Sequence, residues 1–455
     1  MEENKRSNFT SKLGFILAAA GSAVGLGNIW RFPYLVAKYG GGTFLITYII
    51  LAVTFGFTLM TAEIAIGRKT GLSAIGAFKK LDKRFGFLGL LASLVPVIIL
   101  PYYSVIGGWV MKYIGAFLKS NAFDAAKDGY FTGFISSTKE PLIWFAIFVL
   151  LTSVIVVFGV EKGIEQVSKF LMPILVVLTV GVSVYVLTLD GAIDGLKYYI
   201  LPHTADFSYK TVVAALGQLF YSMSLAMGIM ITYGSYMKKS TNLQSSVKQI
   251  ELFDTGIAFF SGLMIVPAVF IFSGGDKAAL GAGPGLMFIT LPKVFETMTL
   301  GKVVGIAFFV LVFFAALTSA ISLMETIVSI FMDRFKWNRT FTCIVVTAYV
   351  LFMGIPSSLG FGALSGVAPL GMSILDFMDF TSNNLLMPIV SLGTCFFVAY
   401  IIKPKAVIDE AEAEGAEFKN KKIFNFIIKY VAPICLLIIL ITSVLAALGV
   451  KAFAL

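Results

Sequence analysis

Long runs of apolar residues, separated by shorter polar segments, recur along the whole chain. Most runs have about 20 residues or more, enough for a helix to cross the roughly 30 Å hydrocarbon core of a bilayer. The pattern therefore predicts an all-α polytopic membrane protein. Its eleven predicted spans are residues 13–37, 43–67, 87–118, 142–159, 164–188, 211–236, 246–273, 300–332, 340–355, 370–402 and 425–449.

The polar segments predict the loops and termini. Residues 1–12 form an N-terminal segment, and residues 425–455 hold the last span and the C-terminus. The connector, residues 403–424, is the most hydrophilic run, and we expect it to be a solvated charged loop without a site. Asn121 to Glu140 is predicted to be an external loop, and Gly275 to Met298 is compatible with a re-entrant hairpin over the entrance.

Charge sets the orientation of these spans. Most of the 35 Lys and Arg residues lie in alternate polar segments, beginning with residues 1–12. The positive-inside rule then predicts a cytoplasmic N-terminus, an external C-terminus and insertion in the inner (plasma) membrane. The net charge of +10 is explained by these loops, so it does not indicate a nucleic-acid partner. All three cysteines lie in apolar runs, which argues against a disulfide framework.

The first span contains an unusual stretch from Gly21 to Pro33. Its glycines weaken a helix, and Asn28 and Arg31 place an amide and a charge at membrane depth, where polar groups are rare. The pair Gly21 and Gly25 also fits the small-residue motif by which membrane helices pack closely. We favour a helix broken at mid-membrane, whose free backbone groups face a polar ligand.

The sixth span carries a similar interruption between Gly217 and Gly228, with Gln218, Ser222 and Ser224 in its middle. Two interrupted helices five spans apart predict an inverted repeat with a site where the breaks meet. The first repeat comprises residues 13–200, spans 1–5. The second comprises residues 201–402, spans 6–10, and the eleventh span lies outside the repeat.

Further polar residues at mid-span could share an ion. Asp254 in the seventh span needs a partner, because burying a bare charge is costly. A hard monovalent cation such as sodium would give Asp254, Asn28 and Ser222 a common partner. Thr318 and Ser319 in the eighth span are also candidates, although such hydroxyls often bond their own helix backbone.

Two charge pairs predict gates on either side of the site. Arg31 needs an acid, and Asp379 in the tenth span is available for an outer gate. Arg6 and Asp333 would form an inner gate. No transition-metal cluster, nucleotide loop or nucleophile and base pair is visible in the sequence, so we do not expect an enzyme.

Three motifs carry a family resemblance: Asn28-Ile-Trp-Arg-Phe-Pro-Tyr34, Gly217-Gln218, and Ala315-x-x-Thr318-Ser319. Over nearly its whole length the chain resembles the neurotransmitter:sodium symporter family, and is most similar to bacterial members with eleven spans. The resemblance implies a LeuT-type five-plus-five inverted repeat with an extra eleventh span, a central amino-acid site and two sodium (Na⁺) sites.

The resemblance also implies roles for individual residues. The first sodium would be held by the Ala23 carbonyl, Asn28, Ser222, Asp254 and the substrate carboxylate. The second would be held by the carbonyls of Gly21, Val24 and Ala315 and the hydroxyls of Thr318 and Ser319.

The substrate carboxylate would meet the amides of Leu26 and Gly27 and the Tyr103 hydroxyl. Its ammonium would meet carbonyls near Ala23, Tyr221 and Ser222. The side-chain pocket would be formed by Ser22, Ile99, Tyr221, Ser224, Met227, Ser319 and Leu323.

Four positions refine the expected substrate and ions. Gly25 stands where monoamine carriers of the family have an aspartate, so it leaves room for the substrate's own carboxylate. Asp254 replaces a common asparagine, and Ala258 stands where LeuT-like members have a glutamate that substitutes for chloride. We expect Asp254 to supply that charge and transport to be independent of chloride. Ala226 replaces a commoner glycine, which leaves the length of the second break open.

The sequence thus predicts sodium-coupled symport of an amino acid, with apolar or aromatic ones favoured, into the cell by alternating access and with two sodium ions. Two alternatives stay open at this point. One is a proton-coupled amino-acid carrier with Asp254 as the proton site. The other is a transport-inactive sensor or channel on the same fold.

Overall fold

The computed structural model describes residues 8–202, 205, 207–274, 283–447 and 450. Within these residues, nine helices are long and apolar enough to cross a membrane. They match predicted spans two to five and seven to eleven, with bounds Gly42–Thr70, Lys83–Leu118, Lys139–Val157, Val160–Leu187, Leu243–Phe272, Gly301–Phe335, Arg339–Leu359, Ile374–Ile401 and Lys421–Ala447.

The first and sixth segments are interrupted helices, as the sequence predicts. In the first, Lys12–Ala23 is followed after a short gap by Gly27–Lys38, and the two parts are bent by 54°. In the sixth, the helices Tyr209–Ser222 and Ile229–Ser235 are separated by six non-helical residues. With the nine long helices, these two give the eleven apolar segments of the prediction.

The second break keeps its unwound form although it lacks the glycine. Ser224, Ala226 and Gly228 have positive φ angles of 53°, 62° and 70°. The left-handed conformation is disfavoured for residues with a Cβ atom, so the surrounding contacts must hold Ser224 and Ala226 there. The sequence left the length of the second break open because of Ala226. In the structure this break spans residues 223–228.

Short helices cover both ends of the bundle. The predicted external loop contains Ala122–Ala126 and Tyr130–Ser136. Of the predicted re-entrant segment, Leu286–Glu296 is helical and residues 275–282 lie outside the described residues. Its Phe288 carbonyl accepts a hydrogen bond from the Tyr113 hydroxyl at 2.8 Å. Further short helices are Ala74–Leu81, Ala192–Ile200, Pro369–Gly371, Lys403–Ala411 and Ala413–Gly415.

The second span and the second half of the sixth segment lie in backbone contact. A Cβ atom added at Gly67 would lie 1.8 Å from the Ile231 carbonyl oxygen, and one at Gly234 would lie 2.4 Å from the Ile64 oxygen. Only glycine permits two helix backbones to approach so closely. Small residues at helix contacts are a common feature of closely packed membrane helices. The contact brings the second span beside the second break.

The expectation that residues 403–424 form a solvated loop is wrong for their first part. Residues Lys403–Ala411 form a helix whose apolar face, including Val407 and Ile408, is buried. Glu410 is only 6% exposed and accepts hydrogen bonds from Arg68 Nε at 2.9 Å and Lys239 Nζ at 2.5 Å. The buried guanidinium of Arg68 at the end of the second span needs this anion, because an unpaired buried charge is costly.

We predict that Glu410→Ala lowers the stability of the protein by about 3–5 kcal/mol, since it leaves Arg68 buried without its carboxylate. Thermal unfolding of the purified protein in detergent measures the change. The matched control is Glu412→Ala, because Glu412 pairs with a half-exposed Lys421 at 2.8 Å. A surface pair of this kind contributes about 0–1 kcal/mol. An equal loss of Tm in both variants would contradict the prediction.

Candidate functional site

A cavity lies where the two helix breaks face the third and eighth spans. Every residue that the sequence analysis assigns to substrate binding lines this one cavity. They are Ser22, Ala23, Leu26, Gly27, Ile99, Tyr103, Tyr221, Ser222, Ser224, Met227, Ser319 and Leu323. Gly25 and Ile229 complete the lining.

One part of the cavity wall is polar and surrounds Gly25. The Leu26 amide donates a hydrogen bond to the Tyr103 hydroxyl oxygen at 3.5 Å. A Cβ atom at Gly25 would lie 2.9 Å from Ser319 Oγ and 3.2 Å from the Tyr103 hydroxyl oxygen. The absence of a side chain at Gly25 therefore lets two hydroxyl groups lie close to its backbone, and this part of the wall offers hydrogen-bonding groups to a small polar group such as a carboxylate.

The rest of the wall is mainly apolar, with Ile99, Met227 and Leu323, and it includes one pair of hydroxyls. Ser22 Oγ donates a hydrogen bond to Ser224 Oγ at 3.1 Å, and Ser224 Oγ donates to the Ser22 carbonyl at 2.9 Å. The pair joins the first break to the second. Among the described residues that line the cavity, none has a charged side chain.

Beside the cavity, the structure brings together the side chains predicted for the first sodium ion. Asp254 is fully buried, and its Oδ1 accepts hydrogen bonds from Asn28 Nδ2 at 2.8 Å and Ser222 Oγ at 2.6 Å. Its Oδ2 accepts from the Tyr48 hydroxyl at 3.3 Å. These partners are all neutral, so a bound monovalent cation would balance the carboxylate. Ala23 lies next to them in the cavity lining.

The residues predicted for the second sodium ion also meet. Ser319 Oγ lies 3.4 Å from both the Gly21 and Val24 carbonyl oxygens. Thr318 Oγ1 donates to carbonyls of its own helix, Ala315 at 3.2 Å among them. This own-helix bond uses the Thr318 proton and leaves oxygen lone pairs for a cation. The group is therefore an all-oxygen set, which suits a hard cation.

On the side of the bundle away from the N-terminus, Arg31 and Asp379 line a second cavity of about 240 Å³. Within the described residues they form no direct ion pair, so the contact predicted for the outer gate is absent from this conformation. Asp379 accepts hydrogen bonds from Tyr102 at 2.9 Å and Asn383 at 2.6 Å instead. The Arg31 guanidinium lies 5.2 Å from the ring centre of Tyr221, which also lines the central cavity.

Arg6 lies outside the described residues, so the pair with Asp333 that was predicted for the inner gate stays a prediction. Asp333 Oδ2 accepts hydrogen bonds from the backbone amide and hydroxyl of Ser73, at 2.8 and 2.6 Å. Asp333 therefore caps the helix Ala74–Leu81.

The sequence analysis assigned no role to three carboxylates that the structure buries. Glu325 pairs with Arg339 and accepts a hydrogen bond from the Tyr236 hydroxyl at 2.7 Å. Glu165 holds the start of the first helix, since it accepts the Thr10 amide at 2.7 Å. Glu325 is a charged residue inside an apolar run, a signal that points to a functional site even without its partner. Glu165 lies among other charged residues and carries no such signal.

The third missed residue, Glu63, supports the second break. Its Oε1 accepts the backbone amide of Ala226 at 2.7 Å, and Glu63 is 2% exposed. The amide would otherwise be an unpaired donor inside an apolar bundle. Glu63 thus acts as a positioning residue for the unwound segment that lines the cavity.

Comparison with known proteins identifies the family. The model of the sodium:neurotransmitter symporter family matches residues 6–132 and 134–453. The chain belongs to this family. A sodium-dependent transporter of Bacillus subtilis (strain 168), YhdH, whose substrate is uncharacterized, is 34% identical over 98% of this chain and 99% of that protein. An uncharacterized sodium-dependent transporter of Haemophilus influenzae is 33% identical over 96% of this chain and 98% of its own length.

A solved structure agrees with this assignment. The crystal structure of MhsT in complex with L-phenylalanine matches with a TM-score of 0.87 and 38% identity, over 96% of this chain and all of that chain. The fold is therefore the LeuT type that the sequence predicts. The chain is a multi-pass, sodium-dependent transporter of the symporter family and not an enzyme.

We predict that Asp254→Asn in this symporter lowers sodium affinity by about tenfold or more, because it removes the only charge that the protein contributes to the proposed ligands. Binding of ²²Na⁺ to the purified protein measures this. The control is Asp194→Asn, since Asp194 is exposed and pairs with Lys197 at 3.5 Å. Unchanged sodium binding in Asp254→Asn would refute the proposed ligand role.

Proposed function

We propose that the protein carries an apolar or aromatic amino acid into the cell across the plasma membrane, together with two sodium ions. One observation carries the proposal. The residues implied for substrate line a single cavity between two broken helices, and the residues implied for both ions meet beside it. In transporters, such broken helices present backbone groups to substrate and coupling ions.

The chemistry of the cavity supports an amino acid as substrate. The polar wall at Gly25, with the Tyr103 hydroxyl and the Leu26 amide, accepts the carboxylate. Carbonyls near Ala23 and Ser222 accept the ammonium. The apolar walls favour a large uncharged side chain. MhsT, a relative of 38% identity, binds L-phenylalanine in its crystal structure, which supports the same substrate class here.

Two sodium ions would provide strong accumulation. One charge moving through 100 mV releases about 2.3 kcal/mol, and a tenfold sodium gradient adds about 1.4 kcal/mol. Two ions thus supply roughly 7 kcal/mol for a neutral substrate, enough for about 10⁵-fold accumulation. A single ion would support only about a few hundredfold.

The packing around the cavity supports alternating access. On the side of the N-terminus, Phe9 packs against Tyr236 at 6.3 Å between ring centres, and Glu325 pairs with Arg339. On the opposite side, the cavity lined by Arg31 and Asp379 reaches Tyr221. With the N-terminus cytoplasmic, as the positive-inside rule predicts, this conformation faces outward and the Tyr221 ring lies between substrate site and entrance.

The test is uptake of radiolabelled L-phenylalanine by proteoliposomes with an inward sodium gradient and a negative interior. We expect uptake that requires sodium and exceeds the limit of one ion. Uptake that follows a proton gradient without sodium would instead indicate the proton-coupled carrier. Sodium-dependent binding without accumulation would indicate a sensor.

A matched pair of variants connects that uptake to the cavity. Gly25→Ala should reduce substrate affinity by about tenfold or more, because its methyl group would push the Ser319 and Tyr103 hydroxyls away from their positions beside the proposed carboxylate. Gly181→Ala in the fifth span has no heavy atom within 4 Å of the added methyl group and serves as the control. Equal uptake in both variants would contradict the proposed carboxylate position.

We expect transport to be independent of chloride. The hydroxyls of Tyr48 and Ser222 already donate to the Asp254 carboxylate, so that carboxylate takes the place of an anion. Replacing chloride with gluconate in the same proteoliposomes should leave the initial uptake rate unchanged, whereas replacing sodium with choline should abolish uptake. A rate that falls when only chloride is removed would exclude this role of Asp254.

A further inference from the structure

The hydroxyl pair Ser22 and Ser224 is a polar feature in an otherwise apolar part of the cavity wall. Both residues line the cavity and are 3% and 4% exposed. The neighbouring lining side chains Ile99, Met227 and Leu323 offer no hydrogen bonds. A polar group inside an apolar pocket distinguishes substrates by the hydrogen bonds that they satisfy.

The hydroxyl protons of Ser22 and Ser224 can be assigned by counting the donors and acceptors in their two hydrogen bonds. A carbonyl only accepts, so the Ser224 hydroxyl proton is used in its 2.9 Å bond to the Ser22 carbonyl. Ser224 Oγ must then be the acceptor of the 3.1 Å bond between the two hydroxyls, and the Ser22 proton is used there. Both protons are engaged within the pair, and only oxygen lone pairs remain for a ligand.

The positions of Ser22 and Ser224 in the chain explain why the two hydroxyls keep this hydrogen-bonding arrangement. Ser224 lies in the second break with a φ angle of 53°, and Ser22 lies in the last turn of the helix Lys12–Ala23. The two bonds join these backbones, so rotating either hydroxyl to donate to a ligand would break a contact between the first and sixth segments. The pair therefore remains an acceptor while the breaks are together.

We infer that Ser22 and Ser224 select amino acids whose side chain carries a hydrogen-bond donor, such as the phenol of tyrosine or the indole of tryptophan, over equally large side chains without one. The inference rests on the proposed amino-acid site and adds the discrimination within it. A substrate donor would bond to the free lone pairs, whereas phenylalanine would leave them without a partner.

The first test compares substrates on the wild-type symporter by competition against sodium-dependent binding of radiolabelled L-phenylalanine. Tyrosine should compete about fivefold better than phenylalanine, or tryptophan about fivefold better than 1-methyltryptophan, as expected for one net hydrogen bond. 4-Fluorophenylalanine has a small substituent without a proton, so it should compete no better than phenylalanine. The absence of a donor preference in both pairs overturns the inference.

The second test uses the double variant Ser22→Ala/Ser224→Ala. It should lose the preference for the donor, so that tyrosine and phenylalanine compete equally well, whatever the change in their absolute affinities. Ser22→Ala alone should keep part of the preference, since Ser224 retains its bond to the carbonyl of residue 22 and still accepts. The control is Ser93→Ala, whose hydroxyl bonds Gly89 in its own helix at 2.7 Å.

The outcomes separate this inference from the function on which it rests. If the double variant weakens phenylalanine and tyrosine equally, the pair serves the ammonium that all amino acids share, and side-chain selection is refuted. If the wild-type protein binds no amino acid in sodium while Ser93→Ala and wild type both unfold cooperatively, the proposed function itself fails. Retained phenylalanine binding shows that a variant is folded.

Discussion

Two helices in this protein stop inside an apolar bundle, and each backbone group freed there needs a partner. The chain supplies some partners itself. Glu63 accepts the Ala226 amide, Gln218 donates to the Gly27 carbonyl at 2.9 Å, and Ser319 donates to the Ser22 carbonyl at 3.1 Å. The groups that remain face the cavity. We infer that bound ligands provide hydrogen-bond partners for the freed backbone groups that the protein itself leaves without one.

Asp254 shows how ion and substrate sites depend on one framework. Its side chain contacts Asn28 after the first break and Ser222 before the second, and Tyr48 on the second span. A single buried carboxylate therefore connects four helices at the level of the cavity. The hydrogen-bond partners of Asp254 are neutral, so a bound cation would be the charge that balances its carboxylate. Such a cation would stabilise the arrangement of the four helices that also encloses the substrate.

Much of the fold and the central site could be predicted from the sequence because the signals are local. Glycines and Asn28 inside an apolar run mark a break, and family motifs mark the residues around it. Contacts between distant segments could not be predicted. The sequence shows that Glu410 is charged, but not that it pairs with a buried Arg68. It also shows that Asp379 could pair with Arg31, but not that Tyr102 donates a hydrogen bond to the Asp379 carboxylate. Such pairings depend on tertiary packing.

The glycine contacts between the second span and the second half of the sixth segment have a mechanical consequence. At Gly67 and Gly234 the two backbones touch, so neither helix can slide or tilt without the other. They therefore move as one rigid body. Arg68 at the end of this body is bound to the helix Lys403–Ala411, which precedes the last span. A rotation of the body would therefore pull on the connector to the eleventh segment, none of whose described residues lines the central cavity.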